Sequence, residues 1–219
     1  MKLYGYWRSS SAWRVRIALG LKNIPHEYEV VRLARGNGEQ NSQGYVAKNP
    51  QGQVPLLELD VRPGESAPRR IAQSMAIIEY LEEAFPAPAL LPGDPWLRAR
   101  TRQLAEAVNS GIQPYQNTPL LDYVKDVLAR DEIATARHFI ERGLRALETL
   151  AAETAGTFLV GDAPTLADVY LVPQLYGSRR FGADVTAFPT LLRVEAACAA
   201  LPAFHVAHAD QQADRPREG

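Results

Sequence analysis

The sequence predicts a fold of two parts, an α/β domain followed by an all-α domain, and three observations support this. In residues 1–84, short runs with an alternating pattern are interleaved with two segments of helical periodicity. Residues 85–95 contain four prolines and read as a linker. From residue 96 to residue 219 the apolar residues recur at helical spacing, and no run favours a strand. The predicted domains are therefore 1–84 and 96–219.

The elements of the first domain follow from these runs, with turn residues between them. In order, they are a strand at Lys2–Tyr6, a helix that includes Ala12, Val15, Ala18 and Leu19, strands at Glu27–Leu33, Leu56–Leu59 and Arg70–Ala72, and a helix at Met75–Ala84. Residues 34–49 are polar with one weak helical turn, and Val61–Arg69 reads as an exposed hairpin tip. Pro55 stands at the start of the third strand, and the spacing of residues in the sequence does not decide whether its peptide bond is cis or trans.

Five helices are expected in the second domain. They are predicted at residues 94–110, 112–128, 132–153, 166–176 and 188–201. Thr165 and Asp168 fit a capping box at the start of the fourth of these helices. The tail from Ala209 is polar and is expected to fray.

Composition narrows the function classes. The net charge of −1 provides no strong field for nucleic acid or an anionic membrane. No apolar run approaches the length of a membrane span, and no signal peptide is recognised. The single cysteine, Cys198, and the scattered histidines suggest neither an internal disulfide nor a metal site. We expect a cytoplasmic protein.

Three consecutive serines, Ser9, Ser10 and Ser11, fall on the turn from the first strand to the first helix. A helix start offers unpaired N–H groups and the positive end of a dipole, so hydroxyls placed there suit an anion. The alternative is a plain helix cap in a polar turn. Gln73 and Ser74 repeat this arrangement at the second strand-to-helix corner, with the same alternative.

Ordered motifs along nearly the whole chain carry a resemblance to a known family. They include Arg8-Ser-Ser-Ser-Ala-Trp-Arg-Val-Arg-Ile17, Asn49-Pro50, Gln53-Val-Pro55, Gln73-Ser74, Ile77-Ile-Glu-Tyr-Leu-Glu-Glu83, Gly111-Ile-Gln-Pro114, Gln116-Asn117, Gly161-Asp162, Thr165-Leu-Ala-Asp168, Leu171-Val-Pro-Gln174 and Arg180-Phe181. The chain thereby resembles the zeta-class glutathione transferases. The resemblance implies a thioredoxin-like first domain, a cis Pro55, a homodimer, and glutathione-dependent isomerisation of maleylacetoacetate or of maleylpyruvate.

The same resemblance implies roles for individual residues. Ser9 is expected to stabilise the glutathione thiolate, with Ser10 and Ser11 in support. Arg8, which lies beside the serines, and Arg180, which matches an arginine of the family, are expected to bind the carboxylates of a small dicarboxylate substrate, and the alternative for Arg180 is a solvated surface charge. The residues expected to bind glutathione are Gln40, Gln53, Val54, Gln73, Ser74, Gln113 and Asn117. This sequence departs from the family at Ser11, which replaces the usual cysteine, at Ala12, which replaces a serine, and in extra residues around positions 62–70.

Energetics support the serine turn as a thiolate site. Lowering a thiol pKa from about 8.5 to about 6.5 takes about 2.7 kcal/mol. A helix dipole contributes at most about 2 kcal/mol, and a hydrogen bond to a charged group contributes about 1.5–3 kcal/mol. Two other functions stay open, a general glutathione transferase and a non-catalytic binding protein of the same fold. Arg14 and Arg16 are expected to be exposed or ion-paired residues of the first helix.

Overall fold

The structure is a computed structural model, and it describes residues 1–216. The chain divides into two compact units. One contains residues 1–88 together with the described residues from Pro202 onward, and the other is Ala89–Leu201. The division after Pro88 falls inside the predicted linker. The residues from Pro202 onward, which the sequence assigns to the helical domain, belong instead to the first unit.

A mixed four-stranded sheet forms the first unit, as predicted. Its strands are β1 (Lys2–Gly5), β2 (Glu27–Val30), β3 (Leu56–Glu58) and β4 (Arg70–Ala72). Their order across the sheet is β2-β1-β3-β4. The helix after β1 returns the chain for parallel pairing with β2, whereas β3 runs antiparallel to both β1 and β4. Each strand is shorter than or equal to its predicted run.

Four α-helices accompany this sheet. They are α1 (Ser10–Leu21), α2 (Gln43–Val46), α3 (Ser74–Ala84) and α9 (Pro202–Ala207). The helical spacing of Ala12, Val15, Ala18 and Leu19 predicts an amphipathic α1, but every residue from Ala12 to Leu19 is buried, so this prediction is wrong. A helix that is packed against protein on all sides buries its polar residues together with its apolar ones. Gly20 lets α9 approach, because a Cβ at this position would lie 3.2 Å from the Cβ of Ala203.

The tail after α9 is ordered through residue 216, so the expectation that it frays is wrong for this part, and the last three residues of the predicted tail lie outside the described residues. Residues 209–211 form a 3-10 turn in which Ala209 is fully buried. Farther on, the Asp214 carboxylate accepts a hydrogen bond from the Trp7 N–H at 2.8 Å. A polar composition does not show such a contact, because the partner is more than 200 residues away in the sequence.

The second unit is helical, as predicted. Its α-helices are α4 (Pro95–Asn109), α5 (Thr118–Asp122), α6 (Glu132–Ala151), α7 (Leu166–Arg180) and α8 (Pro189–Ala199). The single helix expected at residues 112–128 is instead broken into a 3-10 turn at Gln113–Gln116, the short α5, and a π-helical turn at Tyr123–Val127. Two prolines in this segment lack the N–H that a continuous helix needs.

The predicted capping box at the start of α7 is confirmed. The fully buried Asp168 carboxylate accepts hydrogen bonds from the N–H of Thr165 at 2.7 Å and from the N–H of Leu159 at 2.8 Å. The Thr165 hydroxyl donates a third, at 2.9 Å. Burial raises the pKa of Asp168 to about 6, although these hydrogen bonds act in the opposite direction. None of the helices within residues 1–216 has the length and apolar character that crossing a membrane requires.

Candidate active site

The three serines occupy the turn between β1 and α1, as predicted. Ser9 caps α1, and its Oγ accepts a hydrogen bond from the Ala12 N–H at 3.2 Å. Ser10 is the first residue of the helix, and all three serines are half-buried. A hydroxyl that accepts a hydrogen bond still has its own proton to donate. Ser9 therefore caps the helix and can donate to an anion at the same time.

Arg16 holds the backbone of this turn from inside the protein. Its Nη2 donates to the Trp7 carbonyl at 3.0 Å, and its Nη1 donates to the Tyr6 carbonyl at 3.4 Å and to the Tyr28 hydroxyl at 3.3 Å. Burial lowers the pKa of Arg16 and raises the pKa of Tyr28 to about 12, which leaves a cation beside a neutral phenol at neutral pH. Arg16 is only 5% exposed, so an exposed position, one of the two alternatives expected for it, is wrong.

Arg14 connects the two strand-to-helix corners. Its side chain is fully buried, and its Nη1 donates to the Ser74 Oγ at 3.3 Å. An exposed position, one of the two alternatives for Arg14, is therefore wrong, and the other alternative, an ion-paired residue, stays a prediction. The sequence contained one signal for the burial of Arg14. This residue lies among mostly apolar residues on a helix that directly follows the first strand. A guanidinium in such a place needs internal acceptors.

The Val54-Pro55 peptide bond is cis, as the family resemblance implies. Across residues 1–216, no hydrogen bond involves the N–H or the C=O of Val54, which lies just before β3. The preceding carbonyl, that of Gln53, accepts hydrogen bonds from the Tyr45 hydroxyl and from Asn49 Nδ2, both at 2.7 Å. This arrangement offers an extended peptide one donor and one acceptor at the end of a strand.

Gln73 has a backbone conformation that is rare for its residue type. Its φ is 72° immediately before α3, in the left-handed region. Such a residue costs about 1–3 kcal/mol and persists where the surrounding structure requires it, often at ligand sites. The Gln73 Nε2 donates to the Gln51 Oε1 at 2.7 Å, and Ser74 begins the helix as a buried residue.

Gln40 has a partner within its own loop. Its Nε2 donates to the Ala34 carbonyl at 2.9 Å. A Cβ on Gly38 would overlap with the Gln40 Oε1, so the loop depends on a glycine at that position. The structure therefore gives Gln40 a local role, and its predicted contact with glutathione stays a prediction.

In the second unit, the structure brings together two of the predicted residues. Gln113 Nε2 donates to Asn117 Oδ1 at 2.6 Å, which joins the 3-10 turn to the start of α5. Arg180 is the exposed last residue of α7, whereas the neighbouring Arg179 is paired with both carboxylate oxygens of Glu195 at 2.6 and 2.5 Å.

Arg8 lies in the first unit, one residue before the serines. Its side chain is exposed, and its guanidinium carbon lies 5.3 Å from the centre of the Trp7 ring. This position leaves its charge next to the serine turn.

The chain's own thiol is unsuited to nucleophilic chemistry. Cys198 is the single cysteine of the sequence, and it is fully buried in α8. Burial raises the pKa of this thiol well above its usual range, so almost none of it is ionised at neutral pH. The described residues also contain no group of three or more His, Cys, Asp or Glu side chains arranged to hold a metal ion.

Comparison with known proteins assigns the family. Residues 8–84 match the glutathione S-transferase N-terminal domain, and residues 116–202 match the C-terminal domain. The chain belongs to the glutathione S-transferase family. Within that family it groups with the zeta class, as the sequence motifs indicate, and the predicted fold is confirmed.

Three proteins illustrate the similarity. Maleylacetoacetate isomerase of Pseudomonas aeruginosa is 46% identical, over 99% of each chain. Maleylpyruvate isomerase of Ralstonia sp. is 42% identical, over 98% of this chain and 99% of its own length. The crystal structure of maleylacetoacetate isomerase from Anaeromyxobacter dehalogenans, with dicarboxyethyl glutathione and citrate bound in the active site, is 51% identical with a TM-score of 0.87. That comparison covers 99% of this chain and 97% of the other.

Proposed function

We propose that this chain is a glutathione-dependent cis–trans isomerase that converts maleylacetoacetate to fumarylacetoacetate. The observation that carries the proposal is the serine-capped start of α1 in a chain whose single thiol is buried and protonated. A thiolate site without a usable protein thiol requires sulfur from a ligand. The full-length similarity to isomerases of the zeta class supports the same conclusion.

The residues present fit glutathione. The free N–H and C=O of Val54 suit the cysteinyl peptide group of the ligand, which would extend the sheet edge. The start of α3, with Gln73 and Ser74, suits the γ-glutamyl carboxylate because of its N–H groups and dipole. The remaining predicted contacts are Gln40, Gln53, Gln113 and Asn117.

When bound, glutathione would supply a thiolate that adds to the conjugated double bond, which then turns as a single bond, and expulsion of the same thiolate would break the new C–S bond and restore the double bond in the trans form. Ser9 stabilises the ionised form of that sulfur by donating a hydrogen bond from its hydroxyl, which keeps its proton, and Ser10 and Ser11 add polar groups at the same helix start. A hydrogen bond to a charged acceptor contributes about 1.5–3 kcal/mol, and the helix dipole up to about 2 kcal/mol. Together these contributions reach the value of about 2.7 kcal/mol that a two-unit shift in pKa requires.

Arg8 and Arg180 bind the substrate carboxylates in this proposal. A planar guanidinium pairs with a carboxylate through two parallel hydrogen bonds, and both side chains are exposed. Maleylpyruvate carries the same pattern of charges, and a maleylpyruvate isomerase is 42% identical to this chain. Maleylpyruvate is therefore the second candidate substrate.

We further propose that the enzyme is a homodimer and works in the cytoplasm, where glutathione is kept reduced. Size-exclusion chromatography with light scattering would test the dimer, and a monomeric mass at working concentrations would contradict it.

One assay tests the function. Purified protein is given maleylacetoacetate or maleylpyruvate, each with and without glutathione, and the cis and trans acids are followed by absorbance. We expect turnover of maleylacetoacetate only with glutathione. Turnover of maleylpyruvate alone would favour the second candidate. Failure on both acids, together with conjugation of small apolar electrophiles, would favour a general transferase.

A further inference from the structure

The peptide group between Tyr6 and Trp7 is fixed from both sides. Its carbonyl accepts hydrogen bonds from the Ser9 N–H at 3.0 Å and from Arg16 at 3.4 Å. Its N–H donates to Asp214 Oδ2 at 2.8 Å. The peptide lies two residues before the catalytic Ser9, so its plane sets the direction in which the serine turn leaves β1.

Asp214 comes from the segment that follows α9. Both α9 and this segment pack on α1: the carbonyl of Ala207, the last residue of α9, accepts a hydrogen bond from Arg16 Nε at 3.2 Å, and the rings of His208 and Trp13 lie edge to face with their centroids 4.7 Å apart. Arg16 therefore contacts both the serine turn and the end of α9. Burial lowers the pKa of Arg16, while the Tyr28 hydroxyl and the Asp214 charge oppose that shift.

The second oxygen of the Asp214 carboxylate gives further evidence that the position of this residue has a role. Asp214 Oδ1 is shielded from solvent and accepts no hydrogen bond from the described residues. A carboxylate held in this way loses hydration, so a surface aspartate without a role is not expected to adopt this position. The contact with Trp7 is the specific gain that the position provides.

We propose that Asp214 is a positioning residue for the serine turn. By accepting the Trp7 N–H, it fixes the Tyr6–Trp7 peptide and thereby places the Ser9 hydroxyl where it can donate to the sulfur of glutathione. This inference rests on the proposed function. It assigns a role in the active site to a segment that lies outside the thioredoxin-like part of the sequence.

Three variants of the full chain test the inference. Asp214→Ala removes the acceptor, Asp214→Asn keeps an acceptor oxygen but removes the charge, and Asp210→Ala is the matched control. Asp210 lies in the same segment, where its carboxylate faces Arg215 at 3.5 Å and His208 at 3.7 Å. Thermal unfolding of each variant verifies that it is folded before the other measurements.

Three readouts are used: hydrogen–deuterium exchange, which needs no ligand, and the thiol pKa and kcat, which are measured with glutathione. Hydrogen–deuterium exchange of the free protein reports on peptides that cover residues 5–12. Ultraviolet absorbance of the thiolate, followed against pH with saturating glutathione, reports on the pKa of the bound thiol. For Asp214→Ala we expect exchange that is about tenfold faster, a thiol pKa raised by at least about 0.5 unit, and a kcat lowered by about tenfold. In Asp214→Asn and Asp210→Ala, the exchange rate, the acid dissociation constant of the thiol and kcat should each stay within about twofold of the wild-type value.

Three results would overturn the inference. One is faster exchange in Asp214→Ala with an unchanged thiol pKa, which would make Asp214 purely structural. Another is a rise in thiol pKa and a fall in kcat in Asp214→Asn that equal those in Asp214→Ala, since Asp214→Asn still has an acceptor. The third is the same pair of changes in Asp210→Ala, which would indicate general loosening of the segment. A wild-type protein that leaves the glutathione thiol pKa at its solution value would refute the proposed function instead.

Discussion

Replacing Ser9 with alanine separates the two roles that the structure gives this residue. The Ser9 Oγ accepts the Ala12 N–H at 3.2 Å and keeps a proton for the thiolate. Loss of the cap should lower the free energy of unfolding by about 1 kcal/mol. Loss of the hydrogen bond to sulfur, worth about 1.5–3 kcal/mol, should raise the pKa of bound glutathione by about 1–2 units.

The assay compares the pKa of the bound thiol with kcat across pH. In Ser9→Ala, the limb of the pH profile of kcat that reports thiolate formation should move to higher pH by the same amount as the pKa of the thiol. At a pH near the wild-type value of that pKa, kcat should fall by about fivefold for a shift of about 1 unit and by about fiftyfold for a shift of about 2 units. Urea unfolding, measured in parallel, gives the decrease in the free energy of unfolding that comes from loss of the helix cap alone.

Two further variants decide how the result is interpreted. Ser9→Thr keeps the hydroxyl and should restore most of the thiol pKa. Ser11→Ala removes a supporting hydroxyl that does not cap the helix and should cause a smaller shift. If Ser9→Ala left the thiol pKa unchanged, or if Ser11→Ala matched its effect, the assignment of Ser9 as the main donor would be refuted.

Three other predictions follow from the contacts described above. Arg8→Ala and Arg180→Ala should each raise KM for the dicarboxylate by about tenfold with little change in glutathione affinity, whereas the ion-paired Arg179→Ala should leave KM unchanged in the same steady-state assay. The folded-state pKa of Asp168, about 6, exceeds its unfolded value of 3.8, so its protonation stabilises the fold as the pH falls through 6. Urea unfolding of the wild type and Asp168→Asn should therefore show a difference in free energy that grows by about 2 kcal/mol from pH 7 to pH 4.5; a constant difference would contradict this. Lys22→Met removes a buried ammonium that lies 2.6 Å from a carboxylate and donates to two carbonyls, and the free energy of unfolding should drop by about 3–5 kcal/mol. A drop below about 1 kcal/mol would show that the buried ion pair contributes little.

Local patterns were sufficient for most of the fold. Strand β4 was predicted with its observed bounds, and the others to within a few residues, because alternation and turn residues are local properties. The capping box at Thr165 and Asp168 was also readable, since both partners lie within one helical turn. The break in the segment after Ile112 could not be predicted in this way, because the apolar residues of the segment keep a helical spacing across its two prolines.

Side-chain placement within the site depended on contacts between distant parts of the chain. The serines could be located from the sequence, because a strand and a helix flank them directly. The exposed position considered for Arg14 and Arg16 was wrong, since nothing nearby in the sequence indicates that α3, α9 and the C-terminal segment surround α1. A buried guanidinium is stable only where carbonyls and hydroxyls meet it, and these come from other elements.

The return of residues 202–216 to the first unit has a consequence for how the protein is made. A ribosome releases these residues only after the whole second unit has emerged, so α1 lacks α9 and the Trp7 amide lacks its acceptor until that point. A nascent chain that stops within the second unit would already contain all three serines, but the turn that carries them would not yet be fixed. In the proposed mechanism, the thiolate site is therefore completed late in synthesis, although its serines are among the first residues to be translated.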